Sequence, residues 1–144
     1  MKRSLMICAA VLLCLGIVLG GILVFGRVTI TAQEKTYPVG TAEIEAVWRN
    51  GTLRKITFGE SFSLQTRDGG GEWAEMKPAI EPWFYLIGYG LMPGGSKGHT
   101  YSVGFFYGSL RPGRYRIATY FFFDKDIPIT ETDHHPVYVE FEVK

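Results

Sequence analysis

The chain changes its hydrophobic rhythm once. From Leu5 to Phe25 it reads LMICAAVLLCLGIVLGGILVF, 21 residues without a charge, and beyond that run apolar and polar positions alternate with a period of two. A helix rising about 1.5 Å per residue covers roughly 30 Å over such a run, the thickness of a bilayer's hydrocarbon core. A cleaved secretory leader has a shorter apolar stretch, about 7–15 residues, closed by a small-residue cleavage site. The nearest candidate is Ala32, which would put Ile30 where a small residue is wanted. The run therefore predicts a retained transmembrane signal anchor over residues 1–26. Lys2 and Arg3 outweigh the lone Arg27, so the positive-inside bias expects a cytoplasmic N-terminus and a C-terminal domain outside the cell. Gly16 and Gly20 stand at GxxxG spacing, but glycine is common in such helices, and a single unpaired helix is the simpler expectation.

Past the apolar run the pattern is that of β-strands punctuated by glycine and proline. Ala42, Ile44, Ala46 and Trp48 share one face and Glu43, Glu45 and Arg49 the other, as a half-buried strand requires. Asn50-Gly51 reads as a tight turn. Ile56 and Phe58 continue the apolar face, Phe62, Leu64 and Thr66 alternate with polar neighbours, and Asp68-Gly69-Gly70-Gly71 closes a hairpin into a strand near Glu72–Lys77. After a Pro93-Gly94-Gly95 turn, Tyr101, Val103 and Phe105 alternate with Ser102 and Gly104. Tyr115, Ile117, Thr119, Phe121 and Phe123 form one face of a long strand, and Val137, Val139, Phe141 and Val143 close the chain. Seven to nine short strands with no helix among them predict an all-β sandwich over residues 37–144, with residues 27–36 as a stalk or first edge strand.

Composition narrows the function classes. Of 15 basic residues, Lys2 and Arg3 precede the apolar run, and all 14 acidic residues follow it. The remainder is close to neutral, which gives no reason to expect nucleic acid. Both cysteines, Cys8 and Cys14, lie inside the apolar run, so the exported part has no thiol and must rely on packing alone.

The stretch from Tyr107 to Ile117, with Leu110, Pro112, Gly113, Tyr115 and Arg116 in an L-x-P-G-x-Y-R arrangement, resembles a family of bacterial immunoglobulin-like domains found in exported and membrane-anchored proteins. Three other stretches fit the same family: Phe58 to Gln65 leading into Gly71-Glu72-Trp73, Leu91 to Gly94, and Val139 to Val143. The resemblance implies an immunoglobulin-like β-sandwich. Domains of this family serve as binding, spacer or accessory modules, so the resemblance brings no catalytic residue. Pro112, Gly113 and Tyr115 are expected to be structural, the tyrosine forming a corner whose hydroxyl bonds back to the preceding loop.

Candidate chemistry is sparse. Gly94-Gly95-Ser96-Lys97-Gly98 matches G-x-S-x-G, yet a nucleophile elbow needs a strand before the serine and a helix after it. A turn leads in here and a strand is expected to lead out. Asp124, Asp126, Glu131, Asp133, His134 and His135 crowd one segment and could supply metal ligands. The plainer reading is a solvated loop, and no metal or other cofactor is expected. More informative are aromatic residues placed where a core cannot easily use them: Trp83, Tyr85 and Tyr89, which share a parity, and Tyr120 and Phe122, opposite the Tyr115 face. Exposed aromatic surface marks interaction sites; the alternative is that Phe122 and Trp83 pack under loops or against the membrane-proximal segment. The expectation is a non-enzymatic, single-pass membrane protein, held in the bilayer by residues 5–25, whose outer domain binds or assists a protein or cell-envelope partner. A metal-dependent module or enzyme using the Asp124–His135 loop is the alternative.

Overall fold

Alternation becomes strand wherever one face can be buried. In the sequence Ile44–Asn50 (β3), Ile44, Ala46 and Trp48 are buried while Glu45 and Arg49 face solvent. Gly113–Phe123 (β9) buries Tyr115, Ile117, Thr119 and Phe121 on one face. His135–Val143 (β10) buries Val139, Phe141 and Val143. The computed structural model describes residues 26–124 and 133–144. Its other strands are Val28–Ala32 (β1), Thr36–Tyr37 (β2), Ile56–Phe58 (β4), Ser63–Arg67 (β5), Ala74–Glu75 (β6), Tyr89–Leu91 (β7) and Ser96–Tyr101 (β8). A short helix, α1, spans Val103–Tyr107.

The strands form two sheets. One is three-stranded, in the order β1-β3-β8, and both of its pairings are antiparallel. The other runs β2-β10-β9-β4-β7, with β5 also paired to β9 and β6 paired to the outer side of β5. After β1 the chain crosses to the second sheet, where β2 runs parallel to the end of β10. Between the sheets lies a core of aliphatic and aromatic side chains. At its centre Trp48 of β3 stacks on Phe58 of β4, ring centroids 4.2 Å apart, and the Trp48 indole N–H donates to the Tyr101 hydroxyl at 3.1 Å. Dense aromatic packing of this kind removes much apolar area from water per residue, as a domain without disulfides needs.

β4 and β5 are successive parts of one flank of β9, separated by a bulge. Phe58 lies opposite Phe121 and Ser63 opposite Ala118, so the four residues 59–62 face only Thr119 and Tyr120. Thr119 Oγ1 pins the bulge by donating to the Ser61 carbonyl at 2.8 Å. The two extra residues turn Glu60 outward and leave Phe62 in the core.

The structure corrects the strand pattern in three places. Asn50-Gly51 is not a two-residue hairpin: β3 and β4 lie in different sheets, and Asn50 begins the crossover between them. The alternation Tyr101-Val103-Phe105 ends as a strand at Tyr101 and continues as α1, so the sandwich does contain a helical turn. Among the described residues ten strands are present rather than seven to nine. The expected anchor, Leu5–Phe25, lies outside the described residues; among those described, no helix is long and apolar enough to cross a membrane.

Candidate binding groove

Between β6 and β7 the chain runs from Met76 to Gly88 without strand or helix. It is tied down at one end, where the Ala79 and Ile80 N–H groups both donate to the Phe106 carbonyl at 2.7 and 3.3 Å. Phe84 then tucks inward against Phe62 and Phe106, at centroid distances of 5.5 and 5.2 Å. With Phe84 committed to the core, its neighbours point out: Trp83 is 54%, Tyr85 63% and Leu86 106% exposed. Helix α1 adds a further exposed ring. Its turn sends Val103 and Phe106 inward and leaves Phe105 at the surface.

These rings wall a groove of about 530 Å³ whose floor is Phe62, Phe84 and Phe106 and whose polar margin is Glu43, Glu60, His99, Thr100 and Ser102. Tyr85 and Phe105 each stand nearly perpendicular to Trp83, at 5.4 and 6.4 Å. A smaller hollow of about 190 Å³ continues past Glu60 and Tyr85 to Leu86, Ile87, Tyr120 and Phe122. Glu60, set outward by the bulge, sits where the two meet, and it accepts a 2.9 Å hydrogen bond from the Tyr89 hydroxyl. That bond, with burial and the nearby carboxylate charge adding to it, raises the Tyr89 phenol above its ordinary pKa. Burial lowers the His99 imidazole below its usual value; Glu60 opposes the shift and Lys97 adds to it. His99 therefore brings little positive charge to the groove at neutral pH.

All five aromatic residues singled out in the sequence gather around Glu60. Trp83 and Tyr85 line the groove, Tyr85, Tyr120 and Phe122 line the hollow, and Tyr89 binds Glu60. Tyr120 and Phe122 are half-buried rather than exposed, and Tyr120 stacks on His134 at 4.0 Å. Sequence reasoning missed Phe105, Glu60, Glu43 and His99. For Phe105 a signal existed: Val103, Phe106 and Tyr107 stand at helical spacing, and reading them so turns Phe105 outward.

Tyr115 is buried, and its hydroxyl donates to the Arg111 carbonyl at 2.8 Å across the Pro112-Gly113 turn. Burial raises its pKa against that bond. Of the acidic and histidine cluster, Asp124 is engaged by Lys55 at 2.7 Å and by the Thr57 hydroxyl at 2.6 Å, and the Lys55 bond holds its carboxyl below the ordinary range. His135 stacks on Phe121 at 5.1 Å, while Asp126 and Glu131 lie outside the described residues. Among the described residues no three His, Cys, Asp or Glu side chains come together as a metal site. Ser96 opens strand β8 after a turn in which the Gly95 N–H donates to the Met92 carbonyl at 2.9 Å. No strand-to-helix elbow surrounds it.

No curated protein matches the chain. Among solved structures it is similar to the alkylpurine DNA glycosylase AlkC of Pseudomonas fluorescens, bound to DNA containing an abasic site analogue, with a TM-score of 0.39 and 11% identity over 83% of this chain and 31% of that one. The chain thus spans about a third of the glycosylase chain. It is also similar to the CARDB domain of a Pyrococcus furiosus protein in complex with di-metal ions, with a TM-score of 0.34 and 15% identity over 82% of this chain and 88% of that one. An ASH/PapD-like domain of a human protein gives a TM-score of 0.32 and 14% identity over 81% of this chain and 82% of that one. A match of a different kind runs over residues 26–142, from just before β1 almost to the end of β10. On that match, which takes in both sheets, the chain belongs to the bacterial Ig-like domain family.

Proposed function

We propose that the chain is a non-enzymatic binding module, held in the cell membrane by Leu5–Phe25 and displaying its sandwich outside the cell, with the Trp83–Tyr85–Phe105 groove as its contact surface. Membership of the bacterial Ig-like domain family suggests an extracellular binding or accessory role. The observation that carries the choice of surface is the exposure of Trp83, Tyr85, Leu86, Ile87 and Phe105 together around or beside one cavity. A contiguous apolar patch of this kind on a small domain costs solubility unless something covers it, and aromatic anchors in a desolvated pocket are what binding hot spots consist of. The uncharged run at Leu5–Phe25, with basic residues ahead of it, supports the anchor and its orientation.

The test is site-specific photo-crosslinking in intact cells. A photoreactive residue at position 86 should label a discrete partner, whereas one at Leu53, which is just as exposed at 95% but outside the groove, should not. Protease added to spheroplasts should degrade the sandwich. Equal labelling from both positions, or a protease-resistant sandwich, would overturn the proposal.

A further inference from the structure

Surface aromatic rings elsewhere on this sandwich carry cations of their own. Arg116 lies over Trp73 at 4.6 Å and over Tyr138 at 4.2 Å, Arg54 over Phe123 at 4.3 Å, and Lys97 over Tyr89 at 5.2 Å. The negative face of an aromatic ring attracts a cation, and most strongly where water is thinned out. Trp83, Tyr85 and Phe105 differ. Among the described residues no cation covers their faces, and neither lysine nor arginine lines their groove. The charged residues that do line it are Glu43 and Glu60, and among the described residues neither carboxylate stands in an ion pair. The site therefore combines three rings that no described cation covers, two of them perpendicular to the third, with two carboxylates that form no ion pair among the described residues, one of them held by the Tyr89 hydroxyl.

We propose that the groove is a receptor for a substituted ammonium group, held against the faces of Trp83, Tyr85 and Phe105 with Glu43 and Glu60 as its counter-charge. This rests on the groove being the contact surface. The recognised group is a quaternary or alkyl ammonium, because its methyl or methylene shell fills apolar space while its charge meets both the ring faces and the carboxylates. A neutral ligand of the same shape would leave the carboxylates uncompensated, and an anion would be repelled by them. A cavity of about 530 Å³ is of the size that small-molecule sites occupy.

The experiment titrates the full chain in maltoside micelles, following tryptophan fluorescence and calorimetric heat, with choline chloride and with its uncharged isostere 3,3-dimethylbutan-1-ol. Choline should bind about tenfold more tightly than the isostere, the ratio expected when cation–π attraction is added to equal apolar burial. Tyr85→Ala, Phe105→Ala and Glu60→Gln should each weaken choline several-fold while the thermal melt shows the sandwich still folded. Arg116→Ala, at the cation-covered Trp73 cluster, should leave choline binding unchanged. Phosphatidylcholine vesicles distinguish the source: competition with free choline assigns the group to a lipid headgroup, and lack of competition assigns it to a soluble ammonium, either result being consistent with the site. Equal binding of choline and the isostere, or choline binding indifferent to Tyr85→Ala and Phe105→Ala in folded protein, would overturn the proposal. If choline fails while crosslinking from position 86 persists, only the ligand chemistry is wrong; if both fail, the groove is not the contact surface.

Discussion

Asn50 shows how far a single residue departs from its local signal. An asparagine before glycine favours a turn because its side chain bonds backbone two residues on, and Asn50 Oδ1 does accept from the Thr52 N–H at 3.0 Å and the Thr52 hydroxyl at 2.7 Å. Its Nδ2 donates to the carbonyls of Arg54 and Leu91 at 2.8 and 3.0 Å. The sequence suggested only a tight turn at Asn50-Gly51; the bond to Leu91, 41 residues away, could not be read locally, and it belongs to the crossover between the sheets. With the side chain only 1% exposed, Asn50→Ala leaves several buried groups unpaired and is expected to cost about 2–4 kcal/mol in a denaturant melt. Tyr115 was legible from its place after Pro112-Gly113, because a corner of this kind is a local device. Tyr115→Phe strands the Arg111 carbonyl, and the expected loss is about 1–3 kcal/mol; a neutral result would show that the hydroxyl bond to Arg111 contributes nothing.

At the scale of elements, long strands with one buried face were readable and short pieces decided by distant partners were not. β9 and β10, strands of 11 and 9 residues, announced themselves through the alternating faces that begin at Tyr115 and at Val137. The bulge at 59–62 could not be seen, because it exists only relative to β9. Helix α1 imitated a strand: Tyr101 and Val103 are both buried, and only the turn after Tyr101 moves Phe105 to the other side. Gly104 shows what holds α1 in place. Its N–H donates to the Ala42 carbonyl at 2.8 Å, and a Cβ added there would meet the Ala42 Cα at 2.7 Å. Gly104→Ala is therefore expected to push α1 off β3's entry, cost about 1–3 kcal/mol through overpacking, and displace the Phe105 wall. Melting curves and choline titration of this one variant check both effects, and unchanged melting would show that α1 can shift freely.

Over the whole molecule, the buried tyrosines set a pH limit. Tyr101 is fully buried, and burial raises its pKa from 10.0 to about 12 against hydrogen bonds with Trp48 and Thr119. The phenol ionises near 10 when unfolded, so the stability it contributes is complete below about pH 10 and is lost as pH rises through about 12. For a shift of that size the loss is about 3 kcal/mol. Tyr89, Tyr107 and Tyr115 are shifted in the same direction, so the melting temperature should hold from neutral pH to about 9 and then fall steeply. Because Cys8 and Cys14 both precede residue 26, reductant should leave the melt of the sandwich unchanged. The aromatic residues that the sequence marked for contact came together through the fold, since Trp83 and Tyr120 lie in separate segments whose cavities share Glu60 and Tyr85. What singles out their groove is that its rings are exposed and uncovered, which makes Trp83 the residue on which stability and binding should part company. The most direct measurement therefore takes Trp83→Ala through both assays, thermal melting of the purified full chain and crosslinking from position 86 in cells. A stability loss within about 1 kcal/mol together with lost crosslinking is the expected result; a collapsed melt, or labelling as strong as in the unsubstituted chain, would contradict the assignment of this groove as the binding surface.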